Sequence, residues 1–244
     1  MTTQDLRAHV ALVTGGSRGI GAAIAVALAE LGAAVAVNCR ERVADAEAVV
    51  TKIKTGGGRA VSIAADVSQA AAVTAMVEQV ASAFGPVDIL VNNAGIAIVR
   101  GVDDLSEDDF DRTIMVNLKS AFLCTQAVLP SMRAGKWGRI VNISSGAARG
   151  AGAIGPHYNA SKAGMEGLTR GYAARLVKEG ITVNAVAPSL IETDMMRGRT
   201  DLARNIPLGR MGQADEVAQA AAMVIGNGYM TGQTIVLNGG MAFI

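Results

Sequence analysis

Short β-branched runs alternate with longer, Ala-rich stretches of helical spacing along the whole chain. The runs at 10–14, 34–38, 60–64, 89–92, 139–144, 182–187 and 234–237 predict strands. Apolar positions three and four apart predict helices over 19–31, 42–55, 69–84, 106–132, 158–179 and 215–225, with Ser106 as an N-cap. Gly56-Gly57-Gly58, Gly85-Pro86 and Gly180 stand where three of these helices stop. Segments such as Ile89-Leu90-Val91 and Ile140-Val141 are apolar at successive positions, so both faces must be covered. Such strands belong inside a parallel sheet. The pattern predicts the α/β class, as a doubly wound parallel sheet of about seven strands with helices on both faces. No linker, repeat or low-complexity tract interrupts the alternation, so residues 1–244 read as one domain. The irregular stretches are 146–156 and 189–213. Loops beyond the carboxyl ends of strands build the site in this architecture, and 189–213 is the expected substrate loop.

Composition narrows the possibilities. Half the residues are apolar but only 3% are aromatic, so the core must be built from Ala, Val, Ile, Leu and Met. The net charge of +1 offers no long-range attraction for a polyanion, which argues against nucleic acid as a partner. The apolar runs are shorter than a membrane span. The first ten residues carry Asp5, Arg7 and His9 and no apolar signal core, so a cytoplasmic location is expected. Cys39 and Cys124 lie far apart and the only histidines are His9 and His157, so no metal site is expected.

The chemistry begins at Thr14-Gly15-Gly16-Ser17-Arg18-Gly19-Ile20-Gly21, between the first strand and the first helix. Glycines allow the turn and let backbone N–H groups approach a pyrophosphate, and the helix N-terminus favours its charge. The spacing departs from the strict G-x-G-x-x-G form, but strand and helix flank it as that mechanism requires. An NAD site usually places an acid at the end of the second strand. Here Val37-Asn38-Cys39-Arg40 has none before Glu41. Arg18 and Arg40 instead offer guanidinium groups to a 2′-phosphate, so NADP(H) is the expected cofactor. Asp66, in Ala65-Asp66-Val67, is placed either to accept from the adenine amino group or to cap the helix over 69–84. In Asn92-Asn93-Ala94-Gly95, Asn93 and Gly95 would let amide and backbone approach the adenine ribose, with Asn92 bracing neighbouring strands.

Tyr158 and Lys162 stand four apart at the start of a helix and therefore share a face. A phenol with a pKa of about 10 exchanges protons poorly at neutral pH, and a nearby ammonium would lower that pKa. The pair reads as a general acid or base. Ser144 and Ser145 end the fifth strand, and either can donate to a carbonyl oxygen. A hydrolase triad using His157 lacks the G-x-S-x-G setting.

Together, Thr14-Gly15-x3-Gly19-x-Gly21, Asn92-Asn93-Ala94-Gly95, Asn117, Ser145, Tyr158-x3-Lys162 and Pro188 resemble the short-chain dehydrogenase/reductase family over nearly the whole chain. The resemblance implies a Rossmann-like sheet, a homotetramer, and reversible NADPH-dependent reduction of a ketone to a secondary alcohol. It singles out Ser145, thirteen residues before Tyr158, to polarise the carbonyl while Tyr158 supplies the proton. Lys162 would hold the nicotinamide ribose, and Asn117 would hold a water for the proton relay. Gly15, Ser17, Arg18, Gly19, Ile20, Gly21, Arg40, Asp66, Val67, Asn93, Ala94 and Gly95 would bind the rest of the cofactor. Pro188 would also contact the cofactor, and Ile191 and Thr193 would cover its nicotinamide amide. Ile181-Thr182-Val183-Asn184, Pro207-Leu208-Gly209-Arg210 and Thr231-Gly232-Gln233 further resemble 3-oxoacyl-(acyl-carrier-protein) reductases. An acidic carrier protein would then dock on a basic patch that Lys136 serves and Glu179 opposes. The short segment over 189–206 and Ser189 after Pro188 also fit a small free ketone or a coenzyme A thioester. A non-catalytic NADP-binding role is the alternative from another class.

Overall fold

In the computed structural model, which describes residues 5–194 and 200–243, seven parallel strands form one sheet. They are β1 (Val10–Val13), β2 (Ala34–Cys39), β3 (Arg59–Ala64), β4 (Ile89–Asn92), β5 (Gly138–Ile143), β6 (Ile181–Pro188) and β7 (Thr234–Leu237). Their order is β3-β2-β1-β4-β5-β6-β7. The chain winds outward from β1 in one direction, then returns to β4 and winds the other way. The crevice at the carboxyl ends of β1 and β4 is the topological switch point, where this architecture places ligands.

The helices between strands are α1 (Gly19–Glu30), α2 (Val43–Thr55), α3 (Ala70–Phe84), α4 (Glu107–Ile114), α5 (Ser120–Gly135), α6 (Pro156–Leu176) and α7 (Ala214–Gly226). Two cores explain why the strands are apolar at every position. Ala11 and Val13 face α1, α2 and α7 through residues such as Ile24, Val50 and Val217. Val10 and Leu12 face α3, α5 and α6 through Met76, Val128 and Leu176. The doubly wound parallel sheet is therefore as expected, with strand ends shifted by a residue or two.

Two helices depart from the expected bounds. Over 106–132 the chain forms α4, a wide π turn at Met115–Lys119, and α5, rather than one regular helix. Ser106 does cap α4, accepting from the Asp109 N–H at 3.1 Å. The π turn adds a residue to the ring of hydrogen bonds and changes which face points inward. It brings Asn117 inside, fully buried. Helical periodicity carries no such signal, because the sequence through Val116-Asn117-Leu118 has no proline or glycine. The second departure is α6, which starts at Pro156, two residues before Tyr158, with proline in the first turn. It ends at Leu176 and passes through a 3-10 turn at Val177–Glu179 to Gly180 at φ +78°. A Cβ on Gly180 would collide with the Lys136 carbonyl oxygen, so both conformation and space require glycine.

No helix among the described residues is long and apolar enough to cross a membrane. Of the expected substrate loop, residues 195–199 lie outside the described part, as do residues 1–4 of the amino-terminal segment.

Candidate active site

Every cofactor-binding residue singled out in the sequence lines one cleft of about 630 Å³ at the carboxyl edge of the sheet, together with Ser145. One wall is the loop from β1 to α1, knotted to the end of β4 by Thr14. The Thr14 hydroxyl accepts from the N–H groups of Asn93 and Ala94, at 3.0 and 3.1 Å, and donates to the Val91 carbonyl at 3.3 Å. The Asn93 side-chain amide donates to the carbonyls of Thr14 and Gly15, at 3.0 and 2.9 Å. Asn93 was expected to bring its amide to a ribose; its Nδ2 is instead occupied in holding the β1–α1 loop. The buried Asn38, at the end of β2, adds a third tie by accepting from Gly15 N–H at 3.3 Å.

These ties explain two of the glycines. Gly15 sits at φ +60°, and a Cβ there would come within 2.9 Å of Ala94 Cα. A Cβ on Gly21 would strike Asn93 Nδ2 and the Gly15 carbonyl. The loop is thus drawn tight against β4, with the amino end of α1 opening on the cleft. Bare backbone beside a helix N-terminus suits a pyrophosphate.

At the outer end of the cleft the two arginines are half exposed and lie beside acids. Arg40 pairs with Glu41 at 2.6 Å and Arg18 with Asp194 at 3.5 Å. Exposed pairs of this kind contribute little, so a phosphate competes easily for either guanidinium. Asp66 is not the side-chain cap of α3 that one reading expected. Its Oδ1 accepts from the Ser68 N–H at 2.9 Å and the Ser68 hydroxyl at 2.7 Å, closing the turn before Gln69. Burial raises the Asp66 pKa, but the Ser68 bonds and nearby Arg40 outweigh it and leave the carboxyl below its usual value.

At the inner end stand Ser145, Tyr158 and Lys162. The phenol of Tyr158 is 9% exposed. Burial pushes its pKa up, and the Ser145 hydroxyl beside it offsets part of that. This corrects the expectation that the Lys162 ammonium pulls the phenol down. Lys162 Nζ lies 5.8 Å from the Tyr158 ring centre and donates to the Ile143 carbonyl at 2.8 Å. A neutral phenol at physiological pH is the form that can give up a proton.

The two serines separate clearly. The Ser144 hydroxyl turns back toward α6, with the Lys162 carbonyl and Glu166 Oε1 both at 3.3 Å. Ser145 Oγ accepts from the Ala147 N–H at 3.2 Å and faces the cleft. His157 is fully buried, with Nε2 at 2.9 Å from the Ile98 carbonyl, so it forms no triad with Ser145. Asn117 lies behind the cleft. It accepts from the Ile96 N–H at 2.8 Å and donates to the Ile96 carbonyl at 3.1 Å and the Ser161 hydroxyl at 3.2 Å. Its described bonds fasten the loop after β4 to α6. Sequence reasoning missed Asn38, Ser161, Arg149 and Glu166. Of these, only Asn38 carried a local signal, as a polar residue within the apolar run Ala34-Val35-Ala36-Val37 onward.

Burial lowers the Lys162 pKa from its ordinary 10.5 to about 8. Between those values the unfolded chain holds a proton that the folded chain has lost, so stability from this group rises with pH. From pH 8 to 10.5 the wild type should gain up to about 3 kcal/mol relative to Lys162→Met. Thermal midpoints of both proteins across that window test this; parallel curves would contradict it.

A family model described as short chain dehydrogenase matches residues 9–203. The 3-oxoacyl-[acyl-carrier-protein] reductase FabG of Staphylococcus aureus is 45% identical over 242 residues, covering 95% of this chain and 97% of that protein. The (2S)-[(R)-hydroxy(phenyl)methyl]succinyl-CoA dehydrogenase subunit BbsD of Thauera aromatica is 43% identical, covering 95% and 96%. Among solved structures, the short-chain dehydrogenase/reductase from Serratia marcescens superposes with a TM-score of 0.91 at 41% identity, covering 97% and 98%. With the fold, the motif order and most of the chain in agreement, this protein belongs to the short-chain dehydrogenase/reductase family of oxidoreductases.

Proposed function

We propose that the protein reduces the ketone of a 3-oxoacyl thioester to a secondary alcohol, reversibly, with NADPH. The observation that carries this reading is the meeting of Ser145, Tyr158 and Lys162 at the inner end of a cleft whose other end presents a bare glycine loop and two arginines. Gly15, Ser17, Gly19, Ile20 and Gly21 would hold the pyrophosphate, and Arg18 and Arg40 the 2′-phosphate. Asp66 and Val67 would face the adenine, and the backbone of Asn93, Ala94 and Gly95 the adenine ribose. Lys162 would hold the nicotinamide ribose, with Pro188 also in contact with the cofactor and Ile191 and Thr193 over the nicotinamide amide. When bound, the reduced cofactor supplies a hydride to the carbonyl carbon. Ser145 donates a hydrogen bond to the carbonyl oxygen as charge builds there. Tyr158 passes its proton to the same oxygen. Lys162 takes part in recharging the phenol, and Asn117, by anchoring the Ile96 backbone, keeps that side of the cleft in place.

Two of the relatives support a thioester, since one is named for an acyl-carrier-protein substrate and the other for a coenzyme A substrate. A specific contact favours coenzyme A over an acidic carrier protein as the second reading. Glu179 binds Arg133 through both oxygens, at 2.6 and 3.3 Å, which removes one cation from the surface that Lys136 shares. Phe110 and Phe122, each 42% exposed, offer apolar surface for the homotetramer that the family resemblance implies.

The test is a kinetic comparison of acetoacetyl thioesters, on carrier protein and on coenzyme A, with simple ketones. The thioesters should give kcat/KM at least about tenfold higher, the effect of one or two further binding contacts. Equal efficiency with small ketones would replace the thioester reading, and no turnover with any ketone would leave a non-catalytic binding protein.

A further inference from the structure

We propose that Glu166, clamped by Arg149, is a positioning residue that sets the Ser145 hydroxyl against Tyr158; the proposal rests on the reductase reading above. Glu166 is 4% exposed and lies outside the cleft, so it touches neither cofactor nor substrate. Its two oxygens bind on either side of Ser145. Oε1 shares the Ser144 hydroxyl with the Lys162 carbonyl, both at 3.3 Å, and Oε2 takes Arg149 Nε at 3.0 Å. One carboxylate therefore staples both ends of the turn that carries Ser145.

Within that turn the backbone is already constrained, with Ala148 N–H on the Ser145 carbonyl at 2.9 Å and Gly150 N–H on the Gly146 carbonyl at 3.0 Å. The far end of the turn is held to α6, the helix that bears Tyr158 and Lys162, by Asn159, whose side-chain amide donates to the Gly150 carbonyl at 2.8 Å. Glu166, one helical turn beyond Lys162, adds the link at Ser144 and Arg149, the two residues that bracket Ser145. The strand just before is tied to the same helix, through Asn142 to Thr169 at 2.8 Å and Lys162 to the Ile143 carbonyl at 2.8 Å. The Glu166 bonds extend this stitching past the end of β5, where the sheet no longer holds the chain.

Stability alone does not require an ion pair here. Glu166 loses its water here while the 34% exposed Arg149 keeps part of its own, and a pair of this kind is often no better than well-packed apolar side chains. Its directional bonds do fix a geometry that apolar contacts would leave adjustable. Such placement matters because small displacements of a reacting group cost up to about 100-fold in rate.

The experiment measures kcat, KM and thermal midpoint for the wild type and for Glu166→Gln, each with and without Ser145→Ala. Glu166→Gln should lower kcat about 10- to 100-fold. KM for the cofactor should stay within about twofold, because the cofactor-binding contacts are untouched. In the Ser145→Ala background the same change should cost less than about twofold, since the group it positions is gone. Should Glu166→Gln fail to fold, Arg149→Met carries the same expectations, because the Arg149 side chain is 34% exposed at the end of its turn. Arg149→Lys should restore most of kcat. A lowered thermal midpoint with kcat unchanged, or equal losses with and without Ser145, would overturn the proposal. A wild type inactive toward every ketone would instead overturn the reductase reading, which these variants do not address.

Discussion

Tyr158→Phe is expected to lower kcat about 10³-fold while NADPH still binds within about threefold of the wild-type affinity. The substitution removes one oxygen from a ring that is 9% exposed and leaves its packing in place. No other described phenol or thiol lines the cleft near Ser145: Cys39 lies toward the Arg40 end and its thiol is pushed up by burial. The substrate oxygen then has only water or the Lys162 ammonium, which is tied to the Ile143 carbonyl, as a proton source, and Ser145 to stabilise its charge. Nicotinamide absorbance in steady-state assays measures the loss, and fluorescence titration measures the binding. A variant with full turnover would refute proton delivery by the phenol.

Arg40→Ala is expected to lower kcat/KM for NADPH about 10- to 100-fold and leave that for NADH almost unchanged. The estimate follows from one or two charge-assisted hydrogen bonds at roughly 1.5–3 kcal/mol together. The effect is asymmetric because only NADPH carries the 2′-phosphate. Glu41 enlarges it. In the wild type its carboxylate is held by Arg40 at 2.6 Å; without that partner it adds repulsion at the end of the cleft. Paired kinetics with both cofactors measure the change. A wild type that prefers NADH would remove the basis of the prediction.

Much of the fold was legible because parallel strands buried on both faces leave short, β-branched apolar runs, as at Ile89-Leu90-Val91, that alternate with longer stretches of helical spacing. The tight loop between β1 and α1 was legible for a related reason: Gly15 and Gly21 are forced by crowding, so geometry leaves its mark on residue type. The π turn at Met115–Lys119 left no such mark, since ordinary side chains adopt it and the bonds that accompany it, from Asn117 to Ile96, join residues twenty-one apart. The state of Tyr158 was misjudged from spacing. Four residues on a helix place two side chains on one face, but their electrostatics depend on burial and on where the amine points. Lys162 Nζ donates to the Ile143 carbonyl, a contact between residues nineteen apart. Glu166 was invisible for the same reason, because both of its partners come from the loop beyond β5.

The most direct measurement is a crystal structure with oxidised cofactor and a bound secondary alcohol. Tyr158 Oη and Ser145 Oγ should each lie about 3 Å from the alcohol oxygen, within hydrogen-bonding reach. The carbinol carbon should face the nicotinamide. An alcohol bound with its oxygen turned away from Tyr158, or a phenol pointing out of the cleft while both ligands are present, would contradict proton transfer by this residue.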